Sequence, residues 1–319
     1  GETLCLYSQP NYDPNMFIKG FSHEQWQEIR SNPARPLVNK AISAIYPPGS
    51  IFKMIPVLAA LGVGFDPNQR YFCSGKHKVG NRTFHCWNRL GHGSVKLDVA
   101  IQKSCNIYLY KLAEICGIAN IHKVAKQLDL IGKTGIELPT ESNCFVPTKD
   151  WKRRKIKQEW VIGDTINSAI GQGYVTMTPI GMNMMTARIA SGRLIKPTIL
   201  CSDGAELLPE FAKTQIPESH LDIVRNALYM TTNAPGGTNF RGRLRIKNFE
   251  LSGKTGTAQV VSLDSDKKLE DHSIFSGFAP YKEPKYAITV LVEYGSWGSK
   301  AAAPIASKMM KFVHQILEA

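Results

Sequence analysis

Apolar residues recur with two different periods along the chain. From residue 51 to residue 59 they follow helical spacing, and Gly62 and Gly64 end the run. Pro56 lies within this predicted helix, and we expect a kink there because its ring opposes the carbonyl of Phe52. From Glu250 the period changes to two, which predicts three consecutive strands at 251–261, 273–279 and 286–294.

Further helices are predicted in the middle and at the end of the chain. They cover 95–116, 119–130, 178–191, a segment that begins at Pro217, and a terminal segment from Pro304. The first seven residues read as a strand. This order predicts an α+β domain in which a sheet is covered by helices. On the terminal helix we expect one apolar side, formed by Ile305, Met309, Phe312, Val313 and Ile316.

The composition is ordinary for a protein with a packed core. Of the 319 residues, 43% are hydrophobic and 20% charged, and no apolar run approaches the length that crosses a bilayer. The net charge of +13 suits an anionic partner, but no nucleic-acid fold signature accompanies the densest basic stretch, 149–157. We expect a solvated loop there, with a phospholipid or wall-polymer contact as the lesser alternative, and no nucleic-acid partner.

Ser50-Ile51-Phe52-Lys53 places a nucleophile and a base one helical turn apart. Residues three apart share a helix face, so the Lys53 amine reaches the Ser50 oxygen. To accept a proton the lysine must be neutral near pH 7, and burial or a second cation such as Lys254 lowers its pKa. The same spacing recurs at 265–268, in a polar loop without an apolar face, and we regard that copy as a chance match.

Two further motifs complete an acyl-transfer site. Ser104-Cys105-Asn106 supplies a hydroxyl and an amide. Lys254-Thr255-Gly256-Thr257 supplies a cation, hydroxyls and a strand edge, where glycine lets the backbone of a peptide-like substrate approach. A second Lys-Thr-Gly, at 133–135, follows a predicted helix end and indicates a cap and turn.

In their order and with their neighbours, the three motifs resemble the transpeptidase domain of class B penicillin-binding proteins over the whole chain, 1–319. The stretch 87–93 and Ser104-Cys105-Asn106-Ile107-Tyr108 are most similar to the elongation-type branch, penicillin-binding protein 2. The supporting segments are Asp13-Pro14-Asn15, Tyr46-Pro47-Pro48-Gly49, Lys133 to Pro139, Gly163-Asp164-Thr165, Gly171-Gln172-Gly173-Tyr174, Pro235-Gly236-Gly237-Thr238, Asp271-His272 and Gly277-Phe278-Ala279-Pro280.

The resemblance implies a five-stranded antiparallel sheet between helical layers and D,D-transpeptidation of peptidoglycan stem peptides that end in D-Ala-D-Ala. It implies Ser50 as the nucleophile, which β-lactams acylate, Lys53 as the general base, and Ser104 and Asn106 in proton transfer and substrate binding. Lys254, Thr255 and Thr257 would hold the substrate carboxylate. The backbone N–H groups of Ser50 and Thr257 would form the oxyanion hole.

The resemblance also implies surroundings for the domain. Because the chain begins at Gly1 within a predicted strand, we expect an upstream membrane anchor and a non-catalytic pedestal domain. The catalytic domain is then expected in the periplasm at the bacterial inner membrane. Its expected protein partner is a membrane glycosyltransferase of the elongation machinery.

Two rival functions remain open from the sequence. One is a hydrolase, either a β-lactamase or a D,D-carboxypeptidase, which needs a way to activate water against the acyl-enzyme. The other is a non-enzymatic β-lactam sensor that stays acylated. The Ser-x-Asn motif and the neighbouring segments favour the transpeptidase over the sensor.

Three cysteines and a histidine lie in or beside a loop with little apolar content. Cys73, Cys86, His92 and Cys105 form a tetrahedral structural-zinc set, with Cys105 between Ser104 and Asn106. A metal there would brace the second motif. The alternatives are a Cys73–Cys86 disulfide, free thiols, or replacement of His92 by His77 or His85.

Overall fold

The computed structural model describes residues 1–200, 210–259 and 270–318. Across these ranges, no helix combines the length and the apolar character needed to cross a membrane. The helices are α1 (Asn15–Lys19), α2 (His23–Ser31), α3 (Met54–Gly62), α4 (Leu97–Gln102), α5 (Asn106–Gln127), α6 (Lys149–Trp151), α7 (Ile162–Ala169), α8 (Pro179–Ser191), α9 (Glu218–Asn233) and α10 (Ala302–Leu317). The strands are β1 (Tyr71–Cys73), β2 (Lys76–Val79), β3 (Arg82–His85), β4 (Gly93–Val95), β5 (Ser252–Ala258), β6 (His272–Ala279) and β7 (Tyr286–Val292).

The three strands predicted late in the chain form one antiparallel sheet in the order β5-β6-β7. Two separate hairpin-like pairs, β1 with β4 and β2 with β3, lie in the segment between α3 and α4. The expected count of five strands in the main sheet is not confirmed, since three strands form it in the part of the chain that the structure describes. The predicted first strand is reduced to a single parallel bridge between Glu2 and Thr198.

The segment after Gly49 forms a 3₁₀ turn, Gly49–Lys53, before α3 begins at Met54. Pro56 therefore lies in the first turn of the α-helix, where its missing N–H has no intrahelical partner to lose. The change from 3₁₀ to α geometry occurs where we expected a kink. The residues of α3 from Met54 to Leu61 are all buried, which fixes this helix in the core.

The helix predicted over 95–116 is divided at the second motif. α4 ends at Gln102 and α5 begins at Asn106, with Ser104 between them at a positive φ of 54°. A left-handed serine is strained, and such residues cluster at functional sites. α5 is interrupted at Gly117, whose φ of 67° and ψ of 167° are not helical, so the boundary predicted between 116 and 119 is confirmed.

The main sheet separates two apolar cores. The larger core lies on the side of α3, α5, α8 and α9, and the smaller one lies between the sheet and α10. The side predicted for the terminal helix is wrong in part. Ile305, Phe312 and Ile316 are 44%, 61% and 59% exposed, whereas small residues let α10 approach the sheet closely. The buried positions of α10 are Ala302, Ala303, Ala306 and Met310.

Candidate active site

The predicted nucleophile lies in a backbone arrangement that admits no side chain at the preceding residue. Ser50 is the second residue of the 3₁₀ turn, and in this geometry residues three apart are eclipsed, so Ser50 and Lys53 share one side. Gly49 has φ 55°, and a Cβ there would lie 2.5 Å from the carbonyl oxygen of Thr257. Its N–H donates to the carbonyl of Gly171 over 2.9 Å. The turn is thus held against β5 and against the loop at 171–173.

Lys53 joins the first motif to the second. Its Nζ donates to the carbonyl oxygen of Ser104 over 2.9 Å, contacts Ser104 Oγ at 3.0 Å, and donates to Asn106 Oδ1 over 2.6 Å. The side chain is 1% exposed. The structure therefore brings Lys53 together with Ser104 and Asn106, which follow it by 51 and 53 residues in the sequence.

Burial lowers the pKa of both lysines of the site, Lys53 and Lys254. It lowers the pKa of Lys53 from 10.5 to about 8, against the opposing charges of Cys86 and Cys105. Burial, and then the charge of Lys53, lowers the pKa of Lys254 well below its ordinary value. Burial is the largest cause of the lowered pKa of Lys53, and the repulsion between the two lysines is expressed in the lowered pKa of Lys254.

The third motif lies on β5. In the described part of the chain, β6 is the one strand that pairs with β5. The second edge of β5 has no strand partner among the described residues, which is the arrangement that strand addition by a peptide requires. Lys254 is fully buried, with its Nζ 3.2 Å from the carbonyl oxygen of Thr255. The Thr255 hydroxyl is paired with that of Thr238 at 2.8 Å. Sequence reasoning noted the Pro-Gly-Gly-Thr segment but gave Thr238 no role, because nothing local places it beside β5.

Asn106 is fixed from the side opposite Lys53 by the segment 71–95, which we name the cysteine loop. Its Nδ2 donates to the carbonyl of His85 over 3.3 Å, and its backbone N–H donates to the sulfur of Cys86 over 3.4 Å. The hydrogen bond from Nδ2 to His85 fixes the orientation of the side-chain amide. The Oδ1 atom therefore faces Lys53 Nζ.

The structure gathers the predicted zinc ligands. The ligand atoms of Cys73, Cys86, His92 and Cys105 all lie within 4.8 Å of one another. His92 Nδ1 is 3.6 Å from the sulfur of Cys73 and 3.5 Å from that of Cys86. A tetrahedral zinc with ordinary bond lengths holds sulfur and nitrogen ligands about 3.6 Å apart. The donor set and its spacing therefore fit zinc.

The structure bears on two alternatives to this ligand set: a Cys73–Cys86 disulfide, and His77 or His85 in place of His92. Cys73 and Cys86 are both unpaired thiols, not a disulfide. His77 pairs with Glu114 at 2.9 Å and His85 is exposed, so neither takes the place of His92 in the cluster. The neighbouring Cys105 thiol lowers the pKa of Cys86, and Cys86 in turn raises the pKa of Cys105. A lowered pKa favours the thiolate, which is the form that binds zinc.

Other predicted features have simple structural roles or lie elsewhere. In the second Lys-Thr-Gly, Thr134 and Gly135 bind the carboxylate of Glu141 in a turn, as expected. His272 accepts a hydrogen bond from the backbone of Tyr294 at 3.0 Å, which anchors the loop after β7. The second Ser-x-x-Lys, at 265–268, and Cys201 lie outside the described residues.

Comparison with known proteins agrees with this geometry. The family model described as "Penicillin binding protein transpeptidase domain" matches residues 1–311. The chain is 34% identical over 329 residues to peptidoglycan D,D-transpeptidase MrdA of Haemophilus influenzae, covering 97% of this chain and 50% of that protein. It spans about half the length of the curated relatives it matches.

Solved structures show the same fold. Penicillin-binding protein 2 of Helicobacter pylori superimposes with a TM-score of 0.89 at 32% identity, over 98% of this chain and 57% of that one. The same protein in complex with MreC matches with a TM-score of 0.89 at 32% identity, over 98% and 58% of the two chains. This chain therefore belongs to the penicillin-binding protein transpeptidase domain family, and its fold is that of a penicillin-binding protein 2 transpeptidase domain.

Proposed function

We propose that this domain is a peptidoglycan D,D-transpeptidase of the elongation type that acts through an acyl-enzyme on Ser50. One observation carries the proposal: a buried lysine, one 3₁₀ turn from Ser50, contacts both Ser104 and Asn106. The carbonyl of Thr257 on β5 lies close to Gly49 of the same turn. Membership of the family supports the same reading.

In the first half-reaction, neutral Lys53 takes the proton of Ser50 Oγ, which attacks the carbonyl carbon of the penultimate D-Ala. A tetrahedral oxyanion forms against the backbone N–H groups of Ser50 and Thr257. The C–N bond to the terminal D-Ala then breaks, and the proton passes through the Ser104 hydroxyl to the leaving amine. Ser50 is left as an ester, and free D-Ala departs.

In the second half-reaction, the amine of a neighbouring stem peptide attacks the ester carbonyl. The new C–N bond forms, the C–O bond to Ser50 breaks, and the amine proton returns to Ser50 Oγ through Lys53 and Ser104. Lys254, Thr255 and Thr257 bind the substrate carboxylate, and Asn106 binds the peptide backbone. A β-lactam follows the first half-reaction, but its opened ring stays tethered, so the ester persists.

The decisive experiment is mass spectrometry of the intact protein with benzylpenicillin, followed over hours. We expect one adduct per chain, located on Ser50 and absent from Ser50→Ala, with Ser265→Ala as the matched control from the second Ser-x-x-Lys. A label on a peptide that lacks Ser50 would overturn the assignment. Turnover of many penicillins per minute would instead support a β-lactamase, and a permanent adduct without activity on D-Ala-D-Ala peptides would support a sensor.

We further propose that Cys73, Cys86, His92 and Cys105 hold a structural zinc ion. The support is the donor spacing and the direct hydrogen bond from Asn106 to Cys86, through which a braced cysteine loop orients the second motif. Elemental analysis of protein purified without added metal is expected to give about one equivalent of zinc. Substoichiometric zinc together with a Cys73–Cys86 cross-link would end this proposal.

The setting we propose is the periplasmic side of the bacterial inner membrane, with a membrane glycosyltransferase engaged through an N-terminal part beyond this chain. The complex of a relative with MreC supports assembly with partner proteins. Co-purification of the full-length protein from membranes, compared with this domain alone, tests the idea. Equal recovery of the glycosyltransferase with the isolated domain would place the contact here instead.

A further inference from the structure

The loop that follows β7 contacts the segments that carry the first and the third motif. At its start, Oε1 of Glu293 accepts a hydrogen bond from the hydroxyl of Tyr46 over 2.9 Å. Farther along, Gly298 lies so close to β5 that a Cβ there would overlap the carbonyl oxygen of Gly256. Tyr46 lies four residues before the nucleophile, and Gly256 directly precedes Thr257. One loop therefore touches both elements that would supply the N–H groups of the oxyanion hole.

Both oxygens of the Glu293 carboxylate have partners. Its Oε2 atom accepts from Nζ of Lys40 over 2.6 Å, and the same Nζ donates to the carbonyl of Gln9 over 3.1 Å. Once the cost of removing the charges from water is subtracted, a largely buried ion pair contributes little net stability, but this one fixes the direction of the carboxylate. Lys40 thereby aims the second oxygen at the Tyr46 hydroxyl.

Tyr46 links this carboxylate to the turn of the nucleophile. Its backbone N–H and carbonyl are both bonded to Met177, each over 2.9 Å. Its buried ring meets that of His272 edge to face, with centroids 5.4 Å apart, and His272 is paired with Ala258 at the end of β5. The two residues between Tyr46 and Gly49 are prolines, whose fixed φ makes the connection stiff. A displacement of the Tyr46 ring would therefore be transmitted to the turn.

The loop after β7 has a defined shape against the start of β6. Its backbone is left-handed at Tyr294 and Ser296, with φ of 54° and 65°. Such conformations are strained for residues other than glycine and persist where the surroundings hold them. Here the N–H of Tyr294 donates to Nδ1 of His272 over 3.0 Å, and that of Ser296 donates to the carbonyl of Asp271 over 2.9 Å. Glu293 is thus presented from a fixed segment.

The protonation states of the pair keep the hydrogen bond intact. Burial raises the pKa of Tyr46, as do the hydrogen bond and the charge of Glu293. Burial also acts to raise the pKa of Glu293, but the hydrogen bonds from Lys40 and Tyr46 outweigh it and lower that pKa. The phenol therefore stays protonated and the carboxylate ionised around pH 8, where Lys53 titrates.

We propose that Glu293 is a positioning residue of the acyl-transfer reaction, which holds Tyr46 and thereby keeps the N–H of Ser50 aligned with that of Thr257. The two N–H groups belong to different elements, so a shift of one relative to the other weakens the stabilisation of the tetrahedral intermediate. In this role Glu293 acts through Tyr46 rather than on the substrate. The inference rests on the proposed transpeptidase function and adds to it the contact that aligns the two halves of its oxyanion hole.

The test is the concentration dependence of acylation by benzylpenicillin, which separates the dissociation constant of the non-covalent complex from the rate constant of the chemical step. We expect Tyr46→Phe, which removes only the hydroxyl, to lower the rate constant about 10- to 100-fold, because a misplacement of about 1 Å costs about 10² in rate. The dissociation constant should stay within about threefold of wild type, since the oxyanion forms only in the chemical step.

The matched control is Tyr286→Phe, which should keep both constants. The hydroxyl of Tyr286 also donates to a glutamate, Glu318, over 2.8 Å, but it lies at the opposite end of β7. Glu293→Ala should lose as much rate as Tyr46→Phe, and the double variant should lose no more, because both changes remove one contact. Glu293→Gln should recover most of the rate, since an amide keeps a hydrogen bond with the hydroxyl in either orientation.

A spectroscopic readout separates alignment from a general loss of structure. In the acyl-enzyme formed with isotope-labelled benzylpenicillin, the infrared band of the ester carbonyl should move to higher wavenumber in Tyr46→Phe, because misaligned donors polarise the carbonyl less. In Tyr286→Phe the band should stay at the wild-type position.

An unchanged rate constant in Tyr46→Phe, a loss confined to the dissociation constant, or an unshifted carbonyl band would overturn the positioning role while leaving Ser50 acylation and the proposed function intact. If Glu293→Ala does not fold, the rate constant and the carbonyl band of Tyr46→Phe still decide. Failure of the wild-type protein to be acylated at Ser50 would overturn the proposed function and, with it, this inference.

Discussion

Two regions of the molecule, α3 and the cysteine loop, orient Lys53 and Asn106, and they do so by different interactions. α3 fixes Lys53 through eight consecutive buried residues, Met54 to Leu61. In the cysteine loop, by contrast, Phe84 is the one buried residue of β2 and β3. That loop nevertheless fixes Asn106 through His85 and Cys86. Apolar burial of α3 positions Lys53, whereas the Asn106 side chain is held by polar contacts with the cysteine loop, which the proposed metal would brace.

The largest effect on the acylation rate is expected from a variant that removes the proposed general base and leaves α3 and the cysteine loop in place. Lys53→Ala removes the proposed general base, and we expect acylation by benzylpenicillin to fall by about 10²–10⁴-fold. Zinc content should remain at the wild-type level, since Lys53 contacts Ser104 and Asn106 but is not among the clustered ligands. Stopped-flow acylation and metal analysis of one preparation check this, and a rate within threefold of wild type would contradict the role of Lys53.

A smaller effect is expected when the support of the cysteine loop is removed. Cys86→Ser should lower zinc content, the thermal midpoint and the acylation rate together, the last by about 10–100-fold, because Asn106 loses its sulfur acceptor. The matched control is Cys116→Ser, a buried thiol on α5 outside the cluster. If Cys116→Ser lost as much zinc as Cys86→Ser, the cysteine loop would not be the region that depends on the metal.

The burial of Lys53 can be tested through the pH dependence of acylation and of the free energy of unfolding. Its pKa of about 8 in the folded state lies below the ordinary 10.5, so acylation should rise with pH around a midpoint near 8. Between pH 8 and 10.5 the unfolded chain holds more protons, so the free energy of unfolding gains a positive slope with pH. Denaturant unfolding of wild type and Lys53→Met at pH 8 and 10 tests this. The variant should lose the contribution of Lys53 to that slope, and equal slopes would contradict the burial of an ionisable Lys53.

The smallest expected effect on the rate comes from the apolar support. Leu58→Ala opens a cavity in α3 and should lower the free energy of unfolding by about 2–5 kcal/mol. Acylation below the unfolding transition and zinc content should stay near wild type, because neither depends on that side chain directly. Phe72→Ala, at a residue that is 73% exposed, serves as the control and should change stability by less than about 0.5 kcal/mol.

Much of the fold followed from periodicity, and the misses have specific causes. The three late strands are present, but their described ends differ by up to two residues, as for the strand predicted at 286–294 and found at Tyr286–Val292. The end predicted at 260–261 for the first of them lies outside the described residues. The apolar side predicted for α10 was wrong in part because periodicity ranked Ile305 and Phe312 above the alanines. Close packing on the sheet favours small residues, which carry little hydrophobic signal.

The sequence by itself determined which residues carry the chemistry that we propose. Spacing within Ser50-Ile51-Phe52-Lys53 and within Lys254-Thr255-Gly256-Thr257 is local, and one helical turn or one strand suffices to orient such groups. Only the tertiary structure decided what lies between the motifs: that Lys53 reaches Asn106, that His92 joins the three thiols, and that Glu293 meets Tyr46. These contacts join residues distant in sequence, and their geometry depends on how the helices and the sheet pack, which no local pattern encodes.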